Sequence, residues 1–326
     1  MGTSMDYSPV WDAQYAKALF MKSHSWQEKK ALRRKAFAYT CEAIEHRSIR
    51  IIERDCVVSI PLVLNDFIPS RFYDAASKPS PVQAKKPFNT QIEVVNEDCI
   101  DAAKRLLDET DETPLVLNMA SSTHPGGGVI SGAGAQEENL CRRSDYVRSL
   151  FSYSPLAEDY HQLGIQRNLT GSYPLDPEEG AIYSEGVTIF RGNEAEGYPF
   201  LRQGFTLDFI AVAALNLRSK SNWLRDDKGN YLLSAEEKAI TCHKIRLMLR
   251  IAYQTGHHQL VLSAFGCGAF CNPAKEIANL FAQVLQEEEF AKAFEHIRFA
   301  IIEDHNSRSE INPSGNFRPF AQVFSK

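Results

Sequence analysis

The chain has 326 residues, which at about 150 residues per domain suffices for one large or two small domains. Hydrophobic residues make up 44% and charged residues 24% of it, and this composition excludes a disordered, collagen-like or coiled-coil chain. Lys and Arg number 36 against 41 Asp and Glu, so the formal net charge of -5 argues against bulk binding to duplex DNA. The longest apolar run, Phe209 to Leu215, is far shorter than the about 18 residues that span a bilayer.

The N-terminal segment has no basic start followed by an apolar run, so no secretory signal is predicted. The chain has seven cysteines, an odd number, and no CxxC pair. Disulfide frameworks belong to short secreted domains, so we expect reduced thiols and a cytoplasmic location. Neither an HExxH motif nor a Cys and His spacing typical of zinc sites occurs, and no metal site is expected.

The first 85 residues are predicted to form a helical region followed by a linker. Apolar residues recur at helical spacing from Trp26 to His46, which predicts a helix there. Its charged stretch EKKALRRK is interpreted as a solvated helix face. Several prolines between Asp66 and Phe88 predict a long loop. We therefore place a domain boundary between residues 85 and 86.

Residues 86–326 are predicted to form one α/β domain. Short apolar runs predict strands at 91–95, 114–120, 208–214, 259–265 and 297–302, and two short strands around a turn at Glu185-Gly186. Helices are predicted at 98–107, 136–154, 234–253 and after Asn272-Pro273, where Asn272 is the expected cap. Ser234 and Glu237 form a capping box. The alternation predicts a largely parallel or mixed sheet.

A glycine-rich loop follows the second of these strands. Gly126, Gly127 and Gly128 carry no Cβ, so their backbone can approach a ligand closely and their N–H groups can cradle a phosphate or sugar. The loop leads to Glu137 and Glu138, adjacent carboxylates at a predicted helix start. A flexible surface loop with an acidic first helical turn, which the helix dipole favours, explains the same pattern equally well.

A second glycine-containing loop, GCGAFCNP, starts at Gly266 between a predicted strand and a predicted helix. A strand, a glycine loop and a helix N-terminus form an anion-binding arrangement, although one GxG is a weak signal. Phe270 in this loop either stacks on a ribose or fills the core. Both loops are expected to open toward one crevice at the carboxyl ends of the strands.

The GGG…QEE spacing and the GCGAFCNP loop together resemble the poly(ADP-ribose) glycohydrolases of the microbial, bacterial-type branch, which have the macrodomain fold. VLNMASSTHPGGG, QEENLCRRSDYVRSL, LDFIAVAALN and FAIIEDHN follow in the order of that family. The resemblance covers most of the chain, and the region before residue 50 is similar to the N-terminal accessory region of the same branch. It implies a macrodomain-like three-layer α/β/α fold with a mixed, largely parallel central sheet, plus a helical accessory region.

The resemblance also implies roles for individual residues. Glu138 matches the catalytic acid and Glu137 a neighbouring carboxylate that contacts ribose hydroxyls. The other implied substrate-binding residues are Asp98, Cys99, Asn118, Gly126, Gly127, Gly128, Gln136, Gly266, Cys267, Gly268, Ala269, Phe270, Asn316 and Phe317. Arg142 and Arg143 are interpreted as exposed helix charges, and Cys267 as a packing residue.

The implied reaction is hydrolysis of the ribose–ribose O-glycosidic bond of poly(ADP-ribose), with release of ADP-ribose. A protonated Glu138 would donate a proton to the leaving oxygen and then activate water, without a metal or cofactor. The expected partners are ADP-ribose or its polymer on modified proteins, not duplex nucleic acid or membranes, and the chain is expected to be a monomer. Two alternatives remain open: a mono-ADP-ribosyl-protein hydrolase, for example acting on ADP-ribosyl-arginine, and a non-enzymatic ADP-ribose reader.

Overall fold

The structure, a computed structural model, describes residues 10–23, 25–53, 56–83, 87–303 and 307–324. The predicted boundary between residues 85 and 86 lies outside these ranges. The chain forms two compact units that are interleaved along the sequence. The first unit comprises residues up to 68, 126–167 and 186–206, and the second comprises residues 69–125, 168–185 and 207 onward.

Within the described ranges the helices are α1 (Ala13–Lys22), α2 (Trp26–Glu45), α3 (Cys99–Thr110), α4 (Gln136–Arg143), α5 (Val147–Leu150), α6 (Leu156–Asp159), α7 (Ala235–Gln254), α8 (Ala274–Leu285) and α9 (Phe317–Phe324). The strands are β1 (Ser48–Glu53), β2 (Cys56–Pro61), β3 (Ser70–Tyr73), β4 (Gln91–Val95), β5 (Leu115–Met119), β6 (Ala181–Arg191), β7 (Phe200–Val212), β8 (Leu224–Arg225), β9 (Tyr231–Leu232), β10 (Gln259–Leu262) and β11 (His296–Ala300). Short 3₁₀ turns occupy Phe151–Tyr153, His161–Leu163 and Glu194–Glu196.

The main sheet has seven strands in the order β3-β6-β7-β5-β10-β11-β4. Neighbours from β7 through β5, β10 and β11 to β4 run parallel, whereas β3 pairs antiparallel with β6. The predicted mixed, largely parallel sheet is therefore confirmed. Every residue of β10 is buried, as expected of a parallel strand covered on both faces.

The core of the second unit is built from β5, β10, β11 and the helices that follow them. Phe281 of α8 packs edge-on against Phe299 of β11, and Phe299 contacts Phe320 of α9. The predicted capping box of α7 is present, with Ser234 accepting from the N–H of Glu237 and Glu237 accepting from the N–H of Ser234.

The first unit contains α1, α2, the antiparallel hairpin β1–β2 and the helix α4. Ser25 caps α2 by accepting from the N–H of Glu28. The fully buried Arg191 lies over the rings of Trp11 and Phe200, at 4.8 and 4.4 Å from their centroids. Cation–π contacts of this kind help to satisfy a buried guanidinium.

Several local predictions are wrong. Residues 181–190 belong to one continuous strand, β6, and no turn reverses the chain at Glu185-Gly186. Gly186 adopts a positive φ of 66° within this strand. The loop predicted over 66–88 contains the edge strand β3, and the region before it contains the hairpin β1–β2. The helix predicted over 136–154 breaks after Arg143, where Ser144 is extended.

Asn272 does not cap α8. The residue before this helix is Pro273, and the Asn272 side chain instead donates to the carbonyls of Leu215 and Gly266, at 2.7 and 3.1 Å. Arg142 and Arg143 are buried and not exposed helix charges.

All seven cysteines lie in the described ranges, and no disulfide joins them. Among the described residues, no helix has the length and apolar character needed to cross a membrane. The same residues contain no group of His, Cys, Asp and Glu side chains arranged to hold a metal ion.

Candidate active site

Hydrogen bonds within the glycine-rich loop of the first unit close it into a series of turns. The N–H groups of Ser131 and Ala133 both donate to the carbonyl of Gly128, at 3.0 Å each. Gly126 and Gly127 have positive φ values of 70° and 59°, which disfavour any residue with a Cβ. These hydrogen bonds and backbone angles give the loop a defined turn conformation.

The two carboxylates at the start of α4 are held by this loop. The N–H of Gly126 donates to Glu137 Oε1 at 3.2 Å, and the N–H of Gly128 donates to Glu138 Oε1 at 2.7 Å. Glu137 is 2% exposed and Glu138 is 7% exposed. The helix dipole also favours negative charge in this first turn. The loop amides thus hold carboxylates, a role that sequence analysis did not predict.

The two oxygens of the Glu138 carboxylate differ in their surroundings. Glu138 Oε2 is buried, and no hydrogen-bond partner for it occurs among the described residues. A Cβ on Gly127 would lie 2.4 Å from Glu138 Oε1 and 3.1 Å from Glu137 Oε2. The absence of a side chain at position 127 therefore leaves the space that both carboxylates occupy beside the loop. Gln136, half-buried, is the first residue of the same helix.

The predicted residues of the second unit lie near or beyond the carboxyl ends of parallel strands. Asp98 and Cys99 follow β4, and Asn118 is the second-last residue of β5. The loop Gly266 to Phe270 follows β10, and beyond β11 Asn316 immediately precedes α9, which begins at Phe317. Ligands of open α/β sheets bind at this edge.

The loop after β10 is shaped by Gly266 and anchored by side-chain amides. Gly266 has a φ of 73°, and a Cβ there would lie 2.5 Å from Ala214 Cβ. Gly268 and Ala269 are exposed, and nothing lies within 4 Å of a Cβ built on Gly268. Cys267 is buried, and burial raises the pKa of its thiol, as expected of a packing residue. Phe270 is half-buried.

Sequence analysis missed Asn312, which ties this loop to α8. Its Nδ2 donates to the carbonyls of Cys267 and Asn272 at 3.1 and 3.0 Å, and its Oδ1 accepts from the N–H of Ala274 at 2.7 Å. No sequence signal marks it, since its partners lie about 40 positions earlier in the chain.

Four of the predicted substrate-binding residues lie at or next to helix starts. Asp98 is the N-cap of α3, and its Oδ1 accepts from the N–H of Ile100 at 2.9 Å. Cys99 is the first residue of that helix and is buried. Asn316 is buried, and its Oδ1 has no hydrogen-bond partner within the described ranges. The N–H of Phe317 donates to Glu303 at 2.9 Å. Asn118 is fully buried.

The structure thus brings the predicted residues together in two groups. In the first unit, Glu137 and Glu138 meet the glycine loop. In the second unit, the remaining residues share the carboxyl edge of the parallel strands. The expectation that both loops open toward one crevice stays a prediction.

Residues 38–192 match the sequence model of the catalytic domain of microbial-type poly(ADP-ribose) glycohydrolase (PARG). No significant match was found among curated proteins. Among solved structures, the PARG of Thermomonospora curvata is 28% identical with a TM-score of 0.65, covering 90% of this chain and 99% of its own. The same enzyme bound to the inhibitor ADP-HPD gives 27% identity and a TM-score of 0.64 over the same shares.

The PARG of Deinococcus radiodurans in complex with ADP-ribose is 29% identical with a TM-score of 0.54, covering 73% of this chain and 85% of its own. These similarities and the mixed seven-stranded sheet confirm the predicted macrodomain-like α/β class. They also confirm the resemblance drawn from the two glycine loops. Residues 38–192 therefore match the catalytic domain of the microbial-type poly(ADP-ribose) glycohydrolase family, and the fold of the chain is similar to that of solved bacterial members of the family.

Proposed function

We propose that this chain is a glycohydrolase that cleaves the ribose–ribose O-glycosidic bond of poly(ADP-ribose) and releases ADP-ribose. The family match and the solved PARG relatives support this activity. The observation in this chain that carries the proposal is the hydrogen bonding of the Glu138 carboxylate. Its buried carboxylate is anchored through one oxygen on the Gly128 N–H, while the other oxygen has no partner in the described part of the chain.

This geometry suits general acid–base catalysis. Cleavage at an anomeric carbon needs a proton for the leaving oxygen and stabilisation of an oxocarbenium-like transition state. Protonated Glu138 donates that proton from Oε2 to the leaving ribose oxygen, and the resulting carboxylate then takes a proton from the attacking water. The neighbouring Glu137 contacts ribose hydroxyls and adds negative charge beside the forming cation. The reaction uses no metal or cofactor.

Both units supply substrate-binding residues in this proposal. In the second unit, the exposed backbone of Gly268 and Ala269 holds the diphosphate, and Phe270 packs against a ribose. In the first unit, Gly126, Gly127, Gly128 and Gln136 contact ribose. Asp98, Cys99, Asn118, Asn316 and Phe317 contact the adenosine. Holding the diphosphate on fixed backbone groups restricts the geometry of the reacting bond.

We further propose that the protein acts as a cytoplasmic monomer on modified proteins, without binding duplex nucleic acid. The negative net charge and seven cysteines without a disulfide, all in the described ranges, support this setting. The 85/86 boundary between an accessory region and the catalytic domain belongs to the same proposal.

The test is release of free ADP-ribose from poly(ADP-ribose)-modified protein by wild type and by Glu138→Gln. Glutamine still accepts from the Gly128 N–H but cannot donate the acid proton. We expect turnover to fall by about 10²–10⁴-fold, while ADP-ribose still binds. Glu137→Gln serves as the adjacent control, with a smaller loss.

Near-normal turnover of Glu138→Gln would remove this residue from the catalytic role. If wild type releases ADP-ribose only from mono-ADP-ribosylated protein, the polymer is not the substrate. If it binds ADP-ribose and cleaves neither, it is a reader.

A further inference from the structure

An ion pair between the buried Arg33 and the half-buried Glu194 lies next to the glycine-rich loop of the first unit. Arg33 of α2 donates from Nε and Nη2 to the two carboxylate oxygens of Glu194, at 2.7 and 2.8 Å. The Arg33 side chain is only 8% exposed. Burial, the largest single influence, raises the pKa of Glu194, but the hydrogen bond and charge of Arg33, together with Arg142 and Tyr198, outweigh it and hold that pKa below its usual value. A two-pronged pair of this kind fixes both side chains in one geometry.

The pair continues through a hydrogen-bonded chain into the loop. The hydroxyl of Tyr198 donates to Glu194 at 3.0 Å and accepts from Arg142 Nε at 2.9 Å. Arg142 Nη1 then donates to the carbonyl of Ala133 in the loop, at 2.8 Å. Tyr198 and Arg142 are fully buried. Because closely packed side chains cannot move independently, a displacement of Glu194 would shift Tyr198 and Arg142 and, through them, the loop.

Two loop glycines also press directly against α2. A Cβ on Gly134 would lie 2.2 Å from Arg33 Nη1 and 2.3 Å from its Cζ, so the guanidinium lies against the backbone there. A Cβ on Gly132 would lie 2.2 Å from the carbonyl oxygen of Lys30. The loop therefore packs closely against α2 and leads into α4, the helix that carries Glu138.

This network contains two guanidinium groups, those of Arg33 and Arg142, but within the described ranges only the one carboxylate of Glu194 hydrogen-bonds within it. Arg33 Nη1 and Arg142 Nη2 are buried, and neither has a hydrogen-bond partner among the described residues. Burial lowers the pKa of Arg33, Glu194 raises it above its usual value, and the carboxylate of Glu138 adds a smaller contribution of the same sign. Glu138 is therefore within electrostatic range of this charge. Retaining unpaired buried donors is costly for stability, which suggests a functional use.

We propose that Arg33 and Glu194 are positioning residues, which hold the loop 126–134 and thereby set the place of the Glu138 carboxylate. This inference rests on the proposed function of Glu138. Both residues fall outside the segment 38–192 that matches the family, so that match assigns them no role.

The first test compares Arg33→Gln with wild type in polymer hydrolysis. Small displacements of a catalytic group cost about 10²-fold in rate, so we expect kcat to fall by about 10–100-fold. Because Arg33 touches no proposed substrate group, KM and the calorimetric Kd for ADP-ribose should change by less than about threefold. Lys35→Gln, an exposed charge removal on the same helix, is the matched control and should leave kcat unchanged. A kcat for Arg33→Gln within about threefold of wild type overturns the proposal.

The second test uses the loop side of the contact. Gly134 does not have a positive φ, so alanine is compatible with its backbone, and the added Cβ displaces only the end of the Arg33 side chain. We expect Gly134→Ala to lower kcat in the wild-type background and to have little further effect in Arg33→Ala, where the space is vacated. Equal losses in both backgrounds would show that the contact with Arg33 plays no part.

A third variant and a measurement independent of turnover keep the proposal testable if Arg33→Gln does not fold. Arg33→Lys keeps the charge but makes only one bond to Glu194, so its kcat should lie between those of wild type and Arg33→Gln, and it stands in for Arg33→Gln if that variant does not fold. Amide hydrogen exchange over residues 126–134 should be faster in Arg33→Gln.

Unchanged exchange overturns the positioning role whatever the substrate is. If wild type releases no ADP-ribose from the polymer, the proposed function fails, and the exchange result still decides whether Arg33 orders the loop.

Discussion

At the scale of single residues, the absence of a side chain at position 127 is a precondition for the carboxylate geometry. Gly127 has a φ of 59°, and a Cβ there would lie 2.4 Å from Glu138 Oε1. We expect Gly127→Ala to lose about 1–2 kcal/mol of unfolding free energy through the left-handed backbone. It should also lose polymer hydrolysis, because the methyl group must push the Glu138 carboxylate aside. Turnover assays and chemical denaturation measure the two effects separately.

Gly229→Ala separates backbone strain from the clash. Gly229 has a similar φ of 79°, but nothing lies within 4 Å of its Cβ position. It should therefore lose comparable stability and keep full turnover. If Gly127→Ala retains turnover as well as Gly229→Ala does, position 127 does not shape the carboxylate site.

At the scale of elements, the loop after β10 depends on its attachment to α8 by Asn312. Removing this buried side chain leaves the N–H of Ala274 and the carbonyls of Cys267 and Asn272 without that partner. We expect Asn312→Ala to lose about 2–4 kcal/mol of stability, since unsatisfied buried groups cost about 1–3 kcal/mol each and partly relax. The loosened loop should bind ADP-ribose about tenfold more weakly, as measured by calorimetry.

Asn230→Ala is the corresponding control, since Asn230 is exposed and, among the described residues, its side chain bonds only to Asp226. It should leave ADP-ribose affinity unchanged. Equal affinities for Asn312→Ala and Asn230→Ala would mean that the loop after β10 does not bind the ligand.

Elements with local signals were predictable from the sequence. The capping box fixed the start of α7, and continuous apolar runs located β5 and β10. The hairpin β1–β2 was missed because CVVSIP is apolar yet largely exposed, so its pattern does not distinguish the two faces of a strand. The edge strand β3 has only four residues among turn-forming neighbours.

The charge assignments failed for a different reason. EKKALRRK was predicted to be a solvated face, but Arg33 is buried and pairs with Glu194, 161 positions later. Arg33 shares the helical spacing of the buried Ala36, Phe37 and Thr40, which was the available signal. The sequence alone does not show that the distant carboxylate of Glu194 lies beside Arg33 and so makes burial of its charge tolerable.

At the scale of the whole molecule, the stability of the fold should carry a pH dependence from Asp145. This carboxylate is fully buried, accepting from the N–H of Thr188 at 2.8 Å and from Arg148 at 3.1 Å. Burial raises the pKa of Asp145 from 3.8 to about 6, although Arg148 opposes the rise. Because the folded pKa lies above the unfolded one, this stabilising contribution is complete below pH 3.8 and is lost as the pH rises through about 6.

Asp145→Asn isolates this contribution, because every other titrating group is shared by the two proteins. A shift of about two pKa units corresponds to about 3 kcal/mol, of which about 2 kcal/mol falls between about pH 4.5 and about pH 7.5. The unfolding free energy of wild type minus that of Asp145→Asn should therefore fall by that amount across this range, as measured by urea denaturation. The loss of the Arg148 partner adds an offset that does not vary with pH, since the guanidinium stays charged throughout. A difference that is constant with pH would mean that Asp145 is ionised in the folded protein at both ends of the range.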